Sequence, residues 1–152
     1  MFAVGVDVSN GRSTVAVLGA QRKIVMKPFE VPHTADGFAS LSEKLRGLNG
    51  EARIVMEHTG RYYEPFAMSM YRAGFFVSAV NPLVIKDYRE GVDVRKVKTD
   101  RADALKIAQF ALDKWEILPQ YTPMDTIRYD LKTLHRQFQL SGKTRTALNN
   151  NL

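Results

Sequence analysis

The sequence predicts an α/β fold: a mixed sheet of about five strands flanked by helices, followed by a C-terminal helical extension. Three observations support this prediction. Three short segments rich in β-branched residues come first, helix-like and strand-like segments then alternate, and the last segment repeats apolar residues at helical spacing. Such an order is typical of a domain in which an antiparallel meander continues into helix–strand alternation.

The meander is predicted from three consecutive strand-like segments. Phe2–Val8 and Ser13–Leu18 are separated by the pair Asn10-Gly11, which is a strong hairpin signal. Lys23–Val31 is the third segment. Pro28 lies inside it and predicts an edge position or a break in the strand, because proline cannot donate a backbone hydrogen bond to a neighbouring strand.

Helices and strands alternate after the meander. Thr34 is expected to cap a helix, because a threonine hydroxyl accepts a backbone hydrogen bond at a helix start. The apolar run Arg53–Glu57 predicts a buried fourth strand. A helix through Pro65–Tyr71 and a fifth strand at Phe75–Val80 follow. This order of elements matches the RNase H-like arrangement.

Further helices are predicted toward the C-terminal end. Pro82–Tyr88 is compatible with a short helix, Gly91–Lys98 with an exposed basic loop, and Thr99 with the cap of a further helix. We place the first domain at residues 1–115. Residues 116–152 are interpreted as a linker and the start of a helical coiled-coil segment, truncated before another domain, in which apolar residues recur at helical spacing: Ile127, Leu131, Leu134 and Phe138.

The composition excludes several classes of protein. With no cysteine among the 152 residues, disulfides, thiolate zinc sites and cysteine nucleophiles are ruled out. No apolar segment approaches the roughly 18 residues that span a membrane, and no signal peptide is evident, so we expect a cytoplasmic protein without a membrane partner. Lysine and arginine number 22 against 16 acidic residues, a net charge of +6, which favours a polyanionic partner such as nucleic acid.

Four acidic residues are the candidate catalytic and metal-binding residues. Asp7 lies at the end of the first strand and Glu57 at the end of the fourth, so these carboxylates lie side by side if the two strands are neighbours. Asp100 and Asp103 share one face of the helix that starts after Thr99. Because hard oxygen ligands hold Mg²⁺ or Mn²⁺, this set predicts a site for two divalent ions and phosphodiester chemistry.

Each of these acids also has a purely structural interpretation. Asp100 and Asp103 suit the positive end of a helix dipole. Asp7 is placed to cap the neighbouring turn, and Glu57 to form a salt bridge at the rim of the sheet. Their joint placement favours the metal site, because acids at the ends of two buried strands need a shared partner.

Four basic residues surround the approach to Asp100. We predict that they bind the nucleic-acid backbone, without reading sequence. The alternative is a solvated loop of mixed charge. The four residues are Arg95, Lys96, Lys98 and Arg101.

Taken together, four segments resemble the DEDD transposases of bacterial insertion sequences, the Piv/MooV-type recombinases. They are Val4-Gly-Val-Asp-Val-Ser9, Val55-Met-Glu-His-Thr-Gly60, Val80-Asn-Pro82 and Lys98-Thr-Asp-Arg-Ala-Asp-Ala104. The similarity covers roughly residues 1 to 115, and the segments occur in the order found in that family.

The resemblance implies a RuvC-like catalytic domain in which the four acids hold metal ions for DNA strand cleavage and transfer. It also implies a structured bridge RNA as guide and a homodimer or tetramer assembled through the C-terminal helix. Members of the family continue into a further domain that supplies a nucleophilic serine, and we expect this chain to be truncated before that domain. Isolated, the chain is therefore expected to be incomplete as a recombinase.

Two other functions remain open from the sequence. An actin-like ATPase also follows its first strand with a Ser/Thr/Gly-rich hairpin, as in Asp7–Thr14, but no second glycine-rich phosphate loop is present. The non-enzymatic alternative is a basic nucleic-acid-binding or assembly module whose acids are structural.

Overall fold

The structure, a computed structural model, describes residues 1–92, 99–123 and 126–150. They form two compact units, Met1–Tyr121 and Thr122–Leu152. The strands are β1 (Phe2–Val8), β2 (Arg12–Leu18), β3 (Ile24–Pro32), β4 (Ala52–Glu57) and β5 (Phe76–Val80). The helices are α1 (Ala35–Arg46), α2 (Tyr63–Arg72), α3 (Pro82–Val92), α4 (Asp100–Asp113) and α5 (Thr126–Asn150), with short 3-10 turns at Ala20–Arg22 and Trp115–Ile117.

The five strands of the described residues form one mixed sheet in the order β3-β2-β1-β4-β5. The first three pair antiparallel, whereas β4 and β5 run parallel to β1. This confirms the predicted RNase H-like architecture. It also places β3 at an edge, as Pro28 predicted, because an edge strand needs backbone donors on one side only.

The two faces of the sheet are covered by different helices. Val4 and Val6 of β1 belong to a core that includes Leu41 of α1 and Phe66 of α2. The alternate residues of β1 face α4, so that Ala3 packs in a second core with the later part of that helix. Because side chains alternate along a strand, this division fixes which face every later residue of β1 occupies.

The two predicted threonine caps are present. The Thr34 hydroxyl accepts a hydrogen bond from the Gly37 amide at 3.0 Å, and Thr99 does the same for Ala102 at 3.2 Å. Each satisfies one of the amide groups that a helix start leaves without an intrahelical partner. The first residues of α1 and α4 are therefore set by local sequence.

Two segments differ from their predicted form. The stretch after α4, expected to be a linker, packs on the sheet as far as Tyr121: Trp115 and Leu118 are buried, and the Tyr121 amide donates to the Val77 carbonyl at 2.6 Å. Burial of large apolar side chains outweighs the flexibility that the prolines suggested. Helix α3 also runs on to Val92, into what was expected to be the basic loop.

The second unit consists of α5, a helix of 25 residues. Leu131, Leu134 and Phe138 are 60%, 60% and 79% exposed on it, while Ile127 belongs to the part of the helix whose side chains are not described. Within the described ranges, no helix has the length and apolar character needed to cross a bilayer.

Candidate active site

Asp7 and Glu57 occupy neighbouring positions at one edge of the sheet. In the parallel ladder between β1 and β4, the last pair is Val6 opposite Met56, and the two acids are the next residue on each strand. Both are partly buried. The condition set by the sequence, that the first and fourth strands be neighbours, is therefore met.

The two acids also share a face of the sheet. Ala3 and Val55 both pack in the core beneath α4. Asp7 and Glu57 lie an even number of residues further along the same strands, so the alternation of side chains places them on the α4 face as well.

The first turn of α4 lies toward the same edge. Phe110, near the end of the helix, packs with Ala3 at the start of β1, whereas Ala104 lies against Gly5. Helix and strand therefore run in opposite directions, and the turn that carries the two predicted aspartates approaches the end of β1 where Asp7 lies.

A shallow depression of about 450 Å³ gives independent support for this placement. Its lining comes from β2 and β3 and from the start of α4: Thr14, Phe29, Glu30, Thr99, Asp100 and Arg101. Thr14 is the antiparallel partner of Asp7 in the ladder between β1 and β2. Asp100 therefore lines the same depression as Thr14, the strand residue paired with Asp7.

Gly5 permits the close approach of the helix. A Cβ at this position would overlap the Ala104 carbonyl oxygen and would lie 2.9 Å from the Ala108 Cβ. This role of Gly5 was not predicted from the sequence, although a glycine between two valines of a strand is a known signal of close backbone contact. Thr14 and Glu30 were not predicted as site residues either, because no recognisable motif marks them.

Of the four predicted basic residues, the structure describes Arg101. Arg101 is exposed and lines the depression. Arg95, Lys96 and Lys98 lie outside the described residues. The turn after Glu57 carries the exposed residues His58, Arg61 and Tyr62, so further basic and aromatic groups lie near this edge.

A serine–histidine pair lies on the opposite face. The Ser13 hydroxyl is 2.8 Å from the His33 Nε2, and burial lowers the pKa of His33. The His33 ring also packs in a tilted arrangement near Phe38 and Phe66. Because Ser13 is 1% exposed, its hydroxyl is not a reachable nucleophile, although His33 is only half-buried.

The donor chemistry of the edge suits a hard divalent cation, since carboxylates are the oxygen ligands that Mg²⁺ and Mn²⁺ prefer. Among the described side chains, however, no group of three or more aspartate, glutamate or histidine residues is close enough to hold a metal ion. Asp7 and Glu57 share an edge and a face of the sheet, but the described acids do not form a closed ligand cluster.

Solved structures with the same architecture place the fold in a class. Two structures of Thermus thermophilus RuvC, one of them in complex with a Holliday junction substrate, match with a TM-score of 0.58 and 15% identity. They cover 80% of this chain, and the match spans 99% and 100% of the RuvC chains. The domain is thus RuvC-like, of the RNase H-like class.

The family follows from the sequence match. A family model described as transposase, that of the DEDD transposases of the IS110 group, matches residues 4–152. The chain belongs to this transposase family. No curated protein gives a match. Family and fold together identify a transposase domain with a RuvC-like fold.

Proposed function

We propose that this domain binds two divalent cations, Mg²⁺ or Mn²⁺, through Asp7, Glu57, Asp100 and Asp103, and cleaves and transfers DNA strands at that site. The observation that carries the proposal is the parallel register of β1 and β4. It brings two acids 50 residues apart in the chain to adjacent positions on the face that α4 covers.

Asp7 and Glu57 are proposed to play a different role from Asp100, because their positions in the fold differ. Asp7 and Glu57 are fixed by strand backbones and are partly buried, so they provide the rigid part of the site. Asp100 is exposed at the start of α4 and is free to adjust. Bound cations would supply charge stabilisation for the attacking and leaving oxygens of a phosphodiester.

DNA is the proposed substrate. The net charge of +6 suits a polyanion, and the Thermus RuvC with this fold was solved with a Holliday junction. We propose, in addition, a structured guide RNA as a partner, as the family resemblance implies, and self-association through α5 to a homodimer or tetramer. The rival is a non-catalytic basic assembly module with structural acids.

Cation binding decides between the proposal and this rival. Mn²⁺ at millimolar concentration is expected to raise the melting temperature of the wild-type chain, because it removes repulsion among the acids. Asp7→Asn and Asp100→Asn should abolish the rise. Asp36→Asn is the matched control, since Asp36 is likewise an exposed acid in the first turn of a helix, α1. A melting temperature that does not change with Mn²⁺, or that rises equally in all variants, would favour the assembly module.

The basic segment before α4 has its own test. Replacing Lys96 and Lys98 with alanine is expected to weaken DNA binding and to reduce the slope of log affinity against log salt by up to about two. Fluorescence anisotropy over a salt series measures that slope. An unchanged slope would remove this segment from the interface.

A further inference from the structure

The depression beside the acids is lined by Thr14, a mostly buried residue that carries a hydroxyl. Thr14 is 7% exposed, lies on the α4 face of the sheet as the pairing partner of Asp7, and lines the depression. Within the described residues its hydroxyl makes no hydrogen bond to protein. The fully buried side-chain oxygen without a partner is Ser78 Oγ among the described residues, so the Thr14 hydroxyl is open to the depression and is available to a group that enters from outside.

The opposite wall is the start of a 14-residue helix. The Thr99 hydroxyl accepts a hydrogen bond from the Ala102 amide, so this amide is not available to a ligand. The amides of Asp100 and Arg101 belong to the same first turn, where the helix itself offers no acceptor. With the exposed Arg101 guanidinium beside them, these groups suit an anion.

The rim also carries negative charge. Glu30, opposite Thr14 on β3, lines the depression and lies 3.6 Å from Arg12 in an exposed ion pair. Such a pair leaves much of the Glu30 charge unneutralised. The negative charges of Glu30 and Asp100 would therefore repel an anion until a cation is bound nearby. Anion binding in the depression should thus depend on cation binding by the neighbouring acids.

We propose that this depression is a phosphate subsite for the DNA strand on which the acids act. In it, the Thr14 hydroxyl and the first turn of α4 bind a backbone phosphate on the β2–β3 side of Asp7, and Glu30 weakens binding when no cation is present. The inference rests on the proposed function, because the proposed metal site determines where the DNA strand runs. A hydroxyl, amide groups and a guanidinium are hydrogen-bond donors that suit the oxygens of a phosphodiester; Phe29 also lines the depression.

The test uses the 152-residue chain and a fluorescent single-stranded oligothymidylate, with Ca²⁺ as an oxygen-seeking cation. Thr14→Val, which keeps the β-branched shape, should bind about five- to tenfold more weakly, whereas Thr14→Ser should bind as wild type. Arg101→Gln should lower the salt slope by about one. Glu30→Gln should bind more tightly, most of all without Ca²⁺.

Arg72→Gln is the charge-matched control. Arg72 is exposed at the end of α2, just before the start of β5 and hence at the opposite end of the sheet. It should keep the wild-type slope. The proposal is wrong if Thr14→Val and Arg101→Gln bind like Arg72→Gln. Should Thr14→Val melt well below wild type, the exposed Arg101 and Glu30 variants decide alone.

The melting experiment with Mn²⁺ separates this inference from the proposed function. Normal Mn²⁺ stabilisation in all three variants, with unchanged DNA binding, would overturn the subsite alone. Weaker binding by Thr14→Val and Arg101→Gln in a chain that Mn²⁺ does not stabilise would support the phosphate subsite and overturn the cation site.

Discussion

Gly5 lies directly against the backbone of α4 at Ala104. A side chain at position 5 would collide with the Ala104 carbonyl oxygen and would crowd Ala108. The absence of a Cβ therefore sets how close the helix comes to β1. That distance in turn controls how near the first turn of α4 lies to Asp7.

Gly5→Ala is consequently expected to push α4 away from the sheet. Since the colliding atoms belong to helix backbone and cannot rotate aside, the free energy of unfolding should fall by about 1–3 kcal/mol. Urea unfolding measures this loss. The Mn²⁺-dependent rise in melting temperature should shrink as well, because the acids of α4 move away from those of the strands.

Gly47→Ala provides the control for that substitution. Gly47 follows α1 with ordinary right-handed backbone angles, and a Cβ there would meet neighbouring atoms at 3.4 Å or more. Its Mn²⁺ response should equal that of wild type. If Gly5→Ala unfolds at the wild-type urea concentration, the close contact is not what positions the helix.

Tyr88 joins α3 to the end of α4. Its hydroxyl donates to Asp113 Oδ2 at 2.6 Å, and Arg22 binds the same oxygen at 2.7 Å. Burial, followed by the bond to Asp113 and the charge of that residue, raises the pKa of Tyr88 to about 12, with Arg22 acting in the opposite direction. The protonated phenol is thus the form that the folded protein prefers.

The expected consequence is a loss of stability at high pH. Above pH 10.0, the ordinary pKa of tyrosine, the unfolded chain releases this proton while the folded chain keeps it until about 12. Stability from Tyr88 is therefore complete below pH 10 and falls as the pH rises between those values. Urea unfolding over that range should show a steeper loss for wild type than for Tyr88→Phe. Equal slopes would show that Tyr88 is not coupled to folding.

The exposed apolar residues of α5 predict self-association. Leu131, Leu134 and Phe138 recur at the spacing of a coiled-coil seam and are mostly exposed, so pairing of two helices would bury them. Leu134→Glu combined with Phe138→Glu should convert an oligomer into a monomer in sedimentation equilibrium. Gln137→Glu, exposed on the same helix but outside the seam, should leave the mass unchanged. A wild-type monomer at high concentration would contradict the prediction.

The sequence by itself determined most of the local structure. The hairpin at Asn10-Gly11, the edge position of β3 with Pro28, and the starts of α1 and α4 at Thr34 and Thr99 all followed from residues adjacent in the chain. These features depend on backbone freedom and short hydrogen bonds, which a few neighbouring residues decide. The positions of the four acids on strand ends and a helix start were predicted in the same way.

Only the tertiary structure decided how those pieces meet. Nothing local to Asp7 or Glu57 specifies that β1 and β4 pair in parallel, since that register depends on the packing of helices against both faces of the sheet. The contact between Gly5 and α4, and the burial of Thr14 beside Asp100, arise from the same packing. Long-range contacts of this kind are set by the shape of the whole core, which no short segment of sequence contains.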